Sequence, residues 1–280
     1  MNSLFNQHPD KERKSGVKIT ADRVYLPLAL ELKKHLEAKQ GIFGIYFKDL
    51  RTEKTFGIND SELFLQASCV KVPYVLYLYE KIAAGSYSLK QRLAYQPNTD
   101  YSTGSGYLQY IIKEGDRLTL RALAKVAITL SDNIAYKMIK RLVGPPNVVQ
   151  FMKALGGTNP WPDGDNYTTP RDQGFYLSGV LDFAKRRPEL GEMLLDDLAH
   201  PVWHCGLPAL LPDETKVAHK EGDLEGVAND AGIIFAPDRP YILIVLSQNQ
   251  PDVPAAFQEI SVISKLVFDY QYQLQPDPGF

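Results

Sequence analysis

Strand-like segments near the two ends of this chain enclose a long helical middle, and this order limits the fold more than any single residue does. Ile42 to Phe47 and Lys54 to Ile58 read as two strands joined by a turn around Asp49-Leu50-Arg51-Thr52. Thr215 to His219, Gly232 to Ala236 and Tyr241 to Ser247 read as strands near the other end. From about residue 62 to residue 198 the pattern is mostly helical, broken at Gly85, Pro97, Gly115, Gly144-Pro145-Pro146 and Pro188. Val24, Leu28, Leu32 and Leu36 recur every four residues as an amphipathic helix closed by Gly41, and Ala256, Ile260, Ile263, Val267 and Tyr270 form a second such face. This order predicts one sheet built from both termini, with a helical domain inserted. The expected division is a polar tail over 1–20, an α/β sheet domain from 21–61 and 201–280, and an all-α domain over 62–200.

A chain of 280 residues is long enough for one large core or two closely packed domains. Its net charge of −2 leaves no basic footprint, so nucleic acid is not an expected partner. No stretch approaches the roughly 20 apolar residues that span a bilayer. The first nineteen residues are polar, with Lys11, Arg13, Lys14 and Lys18, and hold no apolar core of a signal peptide. The compartment stays open: cytoplasmic if Met1 is the native start, extracellular or periplasmic if a signal segment was removed. A monomer is expected. Cys69 and Cys205 form no disulfide framework, and Cys69 reads as a small packing residue.

Three short motifs carry the chemistry. Ser68-Cys69-Val70-Lys71 places a hydroxyl and an amine one helical turn apart, on one face. A serine hydroxyl is a poor nucleophile until a base takes its proton, and a lysine of lowered pKa can do so. Pro73 near the start of the apolar run Val70 to Ile82 requires that helix to begin close to Ser68. Ser131-Asp132-Asn133 adds a second hydroxyl and a carboxamide between two helices, and Lys220-Glu221-Gly222 adds a cation at the end of a β run. Taken singly, each has an ordinary reading: an N-cap, a capping cluster and an edge-strand charge pair. Tyr101-Ser102-Thr103-Gly104-Ser105-Gly106 alone reads as a flexible Gly/Ser loop. His200 and His204 have a spacing that could bind zinc on a helix, but Pro201 between them favours a surface pair, and no metal or cofactor is expected. His219 would line a cleft beside Lys220, with a pKa range that also suits a base.

Together, S-x-x-K, S-D-N and K-T-G are the signature of class A β-lactamases and penicillin-binding proteins, and here the first two are intact and the third reads K-E-G. From about Leu28 to Tyr270 the chain resembles the class A β-lactamase-like serine hydrolases. Leu120-Arg121-Ala122-Leu123, Thr168-Thr169-Pro170-Arg171-Asp172 and Asp230-Ala231-Gly232-Ile233-Ile234 resemble further family segments: the helix before S-D-N, the exit of the Ω loop and the strand after K-T-G. The resemblance implies an α/β fold with an antiparallel sheet flanked by terminal helices, an inserted all-α domain, and the serine site between the two. It implies an acyl-enzyme mechanism. Ser68 would attack a carbonyl, Lys71 would act as its base, Ser131 would pass a proton to the leaving nitrogen, and Lys220 would stabilise charge near Ser131. Asn133 would hold the substrate's side-chain amide, and Tyr101 would stand on the cleft rim. The backbone N–H groups of Ser68 and Asp223, the latter after Gly222, would form an oxyanion hole.

Three departures narrow the expected reaction. The family's Ω-loop glutamate, which activates the deacylating water, has no counterpart between Gly156 and Asp165; Asp163 or Asp165 could stand in, although their Gly and Pro neighbours read first as turns. Glu221 replaces the threonine that helps bind a substrate carboxylate, and would place a negative charge there unless protonated or turned away. The family's carboxylate-gripping arginine is matched only by Tyr241, with Arg239 two residues earlier. The expectation is a serine hydrolase acting on a small-molecule or peptide amide or ester: a peptidase, amidase, esterase or slow β-lactamase. The alternatives are a penicillin-binding sensor or decoy that acylates without turnover, an efficient class A β-lactamase with a substitute base, and a pseudoenzyme keeping the fold for partner binding.

Overall fold

The computed structural model describes residues 17–161 and 164–274. In chain order its elements are β1 (Ile19–Ala21), α1 (Leu26–Glu37), β2 (Ile42–Asp49), β3 (Thr55–Ile58), β4 (Phe64–Leu65), a 3₁₀ turn (Ala67–Val70) and α2 (Lys71–Ala83). There follow β5 (Arg92–Ala94), α3 (Pro97–Asp100), α4 (Leu108–Ile111), β6 (Arg117–Thr119), α5 (Leu120–Thr129), α6 (Asn133–Val143) and α7 (Pro145–Ala154). The chain closes with β7 (Tyr167–Thr168), α8 (Pro170–Arg186), α9 (Pro188–Ala199), β8 (Val217–Leu224), β9 (Val227–Ile234), β10 (Tyr241–Gln248) and α10 (Val253–Gln273).

Both ends of the chain do meet in one antiparallel sheet, ordered β1-β3-β2-β10-β9-β8. Side chains alternate across its faces, as the period of two requires. On β10, Ile242, Ile244 and Leu246 join the core shared with the helical domain, while Tyr241, Leu243 and Val245 join the core beneath α1 and α10. The sheet is thus covered on both sides, which explains a strand as uniformly apolar as Tyr241 to Leu246. α2 is buried nearly all round, from Val72 and Tyr74 to Leu78 and Tyr79, as befits a helix at the centre of its domain.

The differences from the sequence reading are local. The segment read as a tail, 1–20, ends in a strand: Ile19 pairs with Ile58 and Ala21 with Phe56. A three-residue strand has no periodicity of its own to read, and the free edge of β3 creates it. The strand expected to stop at His219 continues through Lys220, Glu221 and Gly222 to Leu224. Charged residues and a glycine look like a strand end, but neighbouring loops bury all three.

Candidate active site

The 3₁₀ turn delivers Ser68 to the first turn of α2, and Ala67 before it takes a positive φ of 46°. Ser68 does not cap the helix. Its Oγ accepts a hydrogen bond from Lys71 Nζ at 2.9 Å. Lys71 is 1% exposed, and its ammonium also reaches the Ser131 carbonyl at 2.6 Å, Ser131 Oγ at 2.9 Å and Asn133 Oδ1 at 2.8 Å. Burial, and next the charge of Lys220, pull this lysine down to about 7. Near neutral pH a substantial share of Lys71 is therefore an unprotonated amine touching the Ser68 hydroxyl.

Ser131 itself lies in the left-handed region, φ 52°, a conformation rare for a side chain of this kind. Asp132 holds the link between helices in place: Oδ1 accepts the Ala135 N–H that opens α6, and Oδ2 accepts the Leu108 N–H. The capping reading of this tripeptide is thus correct for Asp132, while its two neighbours face Lys71. Asn133 is oriented from both sides, since its Nδ2 donates to Thr103 O at 2.9 Å. The Gly/Ser segment that supplies Thr103 is tied down rather than loose. Gln109 Nε2 donates to Gly104 O and Gly106 O, and Asn133 N–H to Ser105 O. A Cβ on Gly106 (φ +101°) would stand 2.4 Å from the Asp132 Cα, so this close approach needs glycine.

Strand β8 runs along the serine with its residues dealt to two faces. Gly222 lies against Ser68: a Cβ there would come within 2.7 Å of the Ser68 N–H nitrogen. Asp223 follows directly and is exposed. Cys69 Sγ touches the Lys220 carbonyl at 3.3 Å, joining the turn to the strand; burial pushes that thiol up to about 12, in keeping with a packing residue. Lys220 is buried, held below its ordinary range by desolvation, and donates from Nζ to the Glu221 carbonyl at 2.7 Å. Glu221 turns the other way. Its Oε1 accepts the N–H groups of Cys205 at 3.0 Å and Gly206 at 3.1 Å. Burial, and then the charge of Asp230, raise its carboxyl above the usual range. The expectation that Glu221 contacts substrate meets a carboxylate already engaged in holding a loop.

A cavity of about 790 Å³ opens beside Ser131 and Lys220. Its far wall is apolar, formed by Tyr107, Leu130, Val202, Trp203, Pro254 and Phe257. Tyr101, 54% exposed, is not part of that wall; its carbonyl accepts a bond from Lys137. Trp203 and Tyr107 were not singled out from the sequence, because nothing local marks an aromatic in a loop as facing a cleft built from five segments.

The Beta-lactamase enzyme family pattern matches residues 27–271. The chain belongs to this family. Beta-lactamase VEB-1 of Pseudomonas aeruginosa is 23% identical over 274 residues, covering 87% of this chain and 90% of its own. A β-lactamase of Streptomyces fradiae is 28% identical over 240 residues, covering 76% of both chains. The structure of PBP-A superposes with a TM-score of 0.83 at 25% identity, over 92% of this chain and 100% of that one. A leucine-to-glutamate mutant of PBP-A, in acyl-enzyme complex with penicillin G, superposes at 0.80 with 27% identity, over 88% and 96% of the chains. The protein is therefore a serine hydrolase of the β-lactamase family.

The family's Ω-loop segment is anchored here by Asp172, whose carboxylate accepts the N–H groups of Thr158 and Asn159 and the Thr158 hydroxyl. Thr169 caps α8, accepting from the Asp172 N–H. Asn166, which the sequence reading passed over, reaches Ala67 O behind the serine at 3.3 Å and accepts from Trp161 Nε1. Of the two aspartates considered as stand-ins for the glutamate, Asp165 is exposed to solvent, and Asp163 lies outside the described residues. The pair considered for the family arginine is elsewhere: Tyr241 is fully buried under the terminal helices, and Arg239 pairs with Asp49 near that end of the sheet. That alignment failed because the strand's inward and outward residues look alike when both faces are covered.

Proposed function

We propose that this β-lactamase-family hydrolase forms an acyl-enzyme at Ser68 and turns over amides or esters, hydrolysing β-lactams slowly. The observation that carries the reading is the single ammonium of Lys71 in contact with Ser68 Oγ, Ser131 Oγ and Asn133 Oδ1. Neutral Lys71 takes the Ser68 proton as Oγ attacks the carbonyl carbon. The oxyanion is held by the backbone N–H groups of Ser68 and Asp223. Ser131, whose Oγ also faces Lys71, returns the proton to the leaving nitrogen or oxygen, while the Lys220 charge stabilises this step. Asn133 positions the substrate's amide.

Slow deacylation rests on the Ω segment, where the described residues carry no glutamate and Asp165 faces solvent. The substrate class rests on the cavity. Its far wall is apolar, and the exposed Asp223 and the Glu221 turned toward Cys205 leave Lys220 as the cationic side chain among its described lining. A substrate whose leaving side is apolar and lacks a free carboxylate suits such a wall better than a peptide ending in D-alanine does. Pockets of about 300–1,000 Å³ hold ligands of this size.

The test is intact-protein mass spectrometry after incubation with penicillin G, followed over time, with Ser68→Ala as control. A lasting penicilloyl adduct on the unmutated protein alone is expected, together with hydrolysis of an uncharged aryl ester. A lasting adduct with no ester turnover would favour the sensor reading instead. Rapid release of hydrolysed penicillin without an adduct would refute slow deacylation.

A further inference from the structure

The segment that leaves α9 is fastened at two points, and the side chains between them face the cavity. At the first point the Val202 N–H donates to Thr129 O at 2.9 Å, two residues before Ser131. At the second, Glu221 Oε1 accepts the N–H groups of Cys205 at 3.0 Å and Gly206 at 3.1 Å, and Asp230 Oδ2 accepts that of Leu207 at 2.8 Å. His219 Nδ1 meets Asp230 Oδ1 at 2.9 Å and so steadies the second carboxylate. Val202 and Trp203 lie at the cavity, 58% and 61% exposed. A tryptophan that buries so little of its ring gains little packing energy to fix its own place. The backbone anchors on either side fix it instead.

The cavity opens beside Ser131, the residue that returns a proton to the leaving group in the function proposed above. Whatever departs on this side of the scissile bond therefore meets Trp203, Val202, Tyr107 and Phe257. Glu221 stands where the family signature has threonine. A threonine hydroxyl would end two bonds short of the carboxylate oxygen that accepts both N–H groups. The exchange thus replaces a short hydroxyl in the cleft with a side chain that fastens the cleft's apolar wall.

We infer that Glu221 is a positioning residue for leaving-group specificity: through Cys205 and Gly206 it holds Trp203 at the cleft, and the wall so formed selects a flat, uncharged, apolar leaving group such as a phenol. The inference rests on the acyl-enzyme reading and names the substrate class on its leaving side. In acylation the bond from Ser68 Oγ to the acyl carbon forms and the bond to the leaving oxygen breaks. The Ser68 proton ends on that oxygen by way of Lys71 and Ser131. A neutral phenol departs, and no charge is left against the apolar wall.

The experiment compares phenyl acetate with 4-phenylphenyl acetate, whose leaving phenols are of similar acidity and differ by one apolar ring. Alongside it, calorimetry measures 4-phenylphenol binding to Ser68→Ala protein and to the same protein carrying each further substitution. The unmutated enzyme should prefer the larger ester by about tenfold in kcat/KM, with the difference in KM. Glu221→Ala should remove most of that preference through KM, with kcat little changed, and should weaken 4-phenylphenol binding by about threefold to tenfold. Trp203→Ala should do the same, and the double variant should lose no more than either alone, because both act on one wall. Glu221→Gln keeps the oxygen that accepts the two N–H groups and should keep the preference. Where Glu221→Ala fails to fold, Glu221→Thr carries the same comparison. A lowered thermal midpoint with the preference intact in the Glu221 variants would overturn the inference, as would a preference that Trp203→Ala leaves unchanged. Binding of 4-phenylphenol that depends on Glu221 and Trp203, with neither ester turned over, would support the wall and refute the hydrolytic reading.

Discussion

The two faces of β8 carry buried polar clusters a single residue apart, and they solve opposite problems. On the serine face, Lys71 is buried among hydroxyl and amide oxygens with no carboxylate hydrogen-bonded to it among the described residues, and burial, then the Lys220 charge, bring its pKa down to about 7. On the far face, Glu221 and Asp230 are held by backbone N–H groups of Cys205, Gly206 and Leu207 and by His219. One face leaves a buried charge weakly compensated. The other ties two carboxylates to backbone N–H groups and so holds a loop. Two of the non-glycine residues at positive φ, Ala67 and Ser131, lie on the serine face.

The largest effect should come from the group whose charge is least compensated. Lys71→Ala should lower the rate of Ser68 acylation by about 10²–10⁴-fold, read as the rate of adduct formation by mass spectrometry. Acylation by the unmutated protein should also fall as pH drops below about 7, because the protonated ammonium cannot accept the Ser68 proton. The sign is fixed: activity rises with pH through that value and then levels. A flat profile from pH 5 to 9 would mean that another group is the base.

Gly222→Ala should come next. A methyl group 2.7 Å from the Ser68 nitrogen forces strand and turn apart. If the oxyanion donors are misplaced, acylation should drop by about 10²–10³-fold with the fold retained, checked by circular dichroism alongside kinetics.

Glu221→Thr, which restores the family's K-T-G, tests the far face. Loss of a carboxylate that accepts two N–H groups should cost about 1–3 kcal/mol in denaturant unfolding. Penicillin acylation should change by less than about tenfold, a factor equal to about 1.4 kcal/mol. A larger gain would show that the Glu221 charge reaches the cleft, and the division between faces would not stand. The smallest effect is expected for Ala67→Gly, which relieves the left-handed φ and should raise stability by no more than about 1 kcal/mol in thermal melts.

Much of the fold was legible because its signals are periodic. The helix at Leu28 and Leu32, the strands from Ile42 and Tyr241, and the closing helix through Ile260 all lie where apolar spacing put them. β1 was not legible, being too short to have a period. The meeting of Ser68, Lys71, Ser131 and Asn133 could be anticipated from motif order. Asn166, Trp203 and the His204–His219 approach could not, since each depends on a loop crossing a strand far away in sequence.

What the sequence determined by itself is the set of elements and the reactive groups, because helical and strand periods and a serine one turn from a lysine are local properties. The tertiary structure decided which charge each group carries and which way it faces. Lys71 is an ordinary lysine until α2, α6 and β8 close around it, and Glu221 is an unattached carboxylate at the cleft until the Cys205 and Gly206 N–H groups donate to it. Desolvation and strand alternation are properties of the packed molecule, and no stretch of the chain holds them alone.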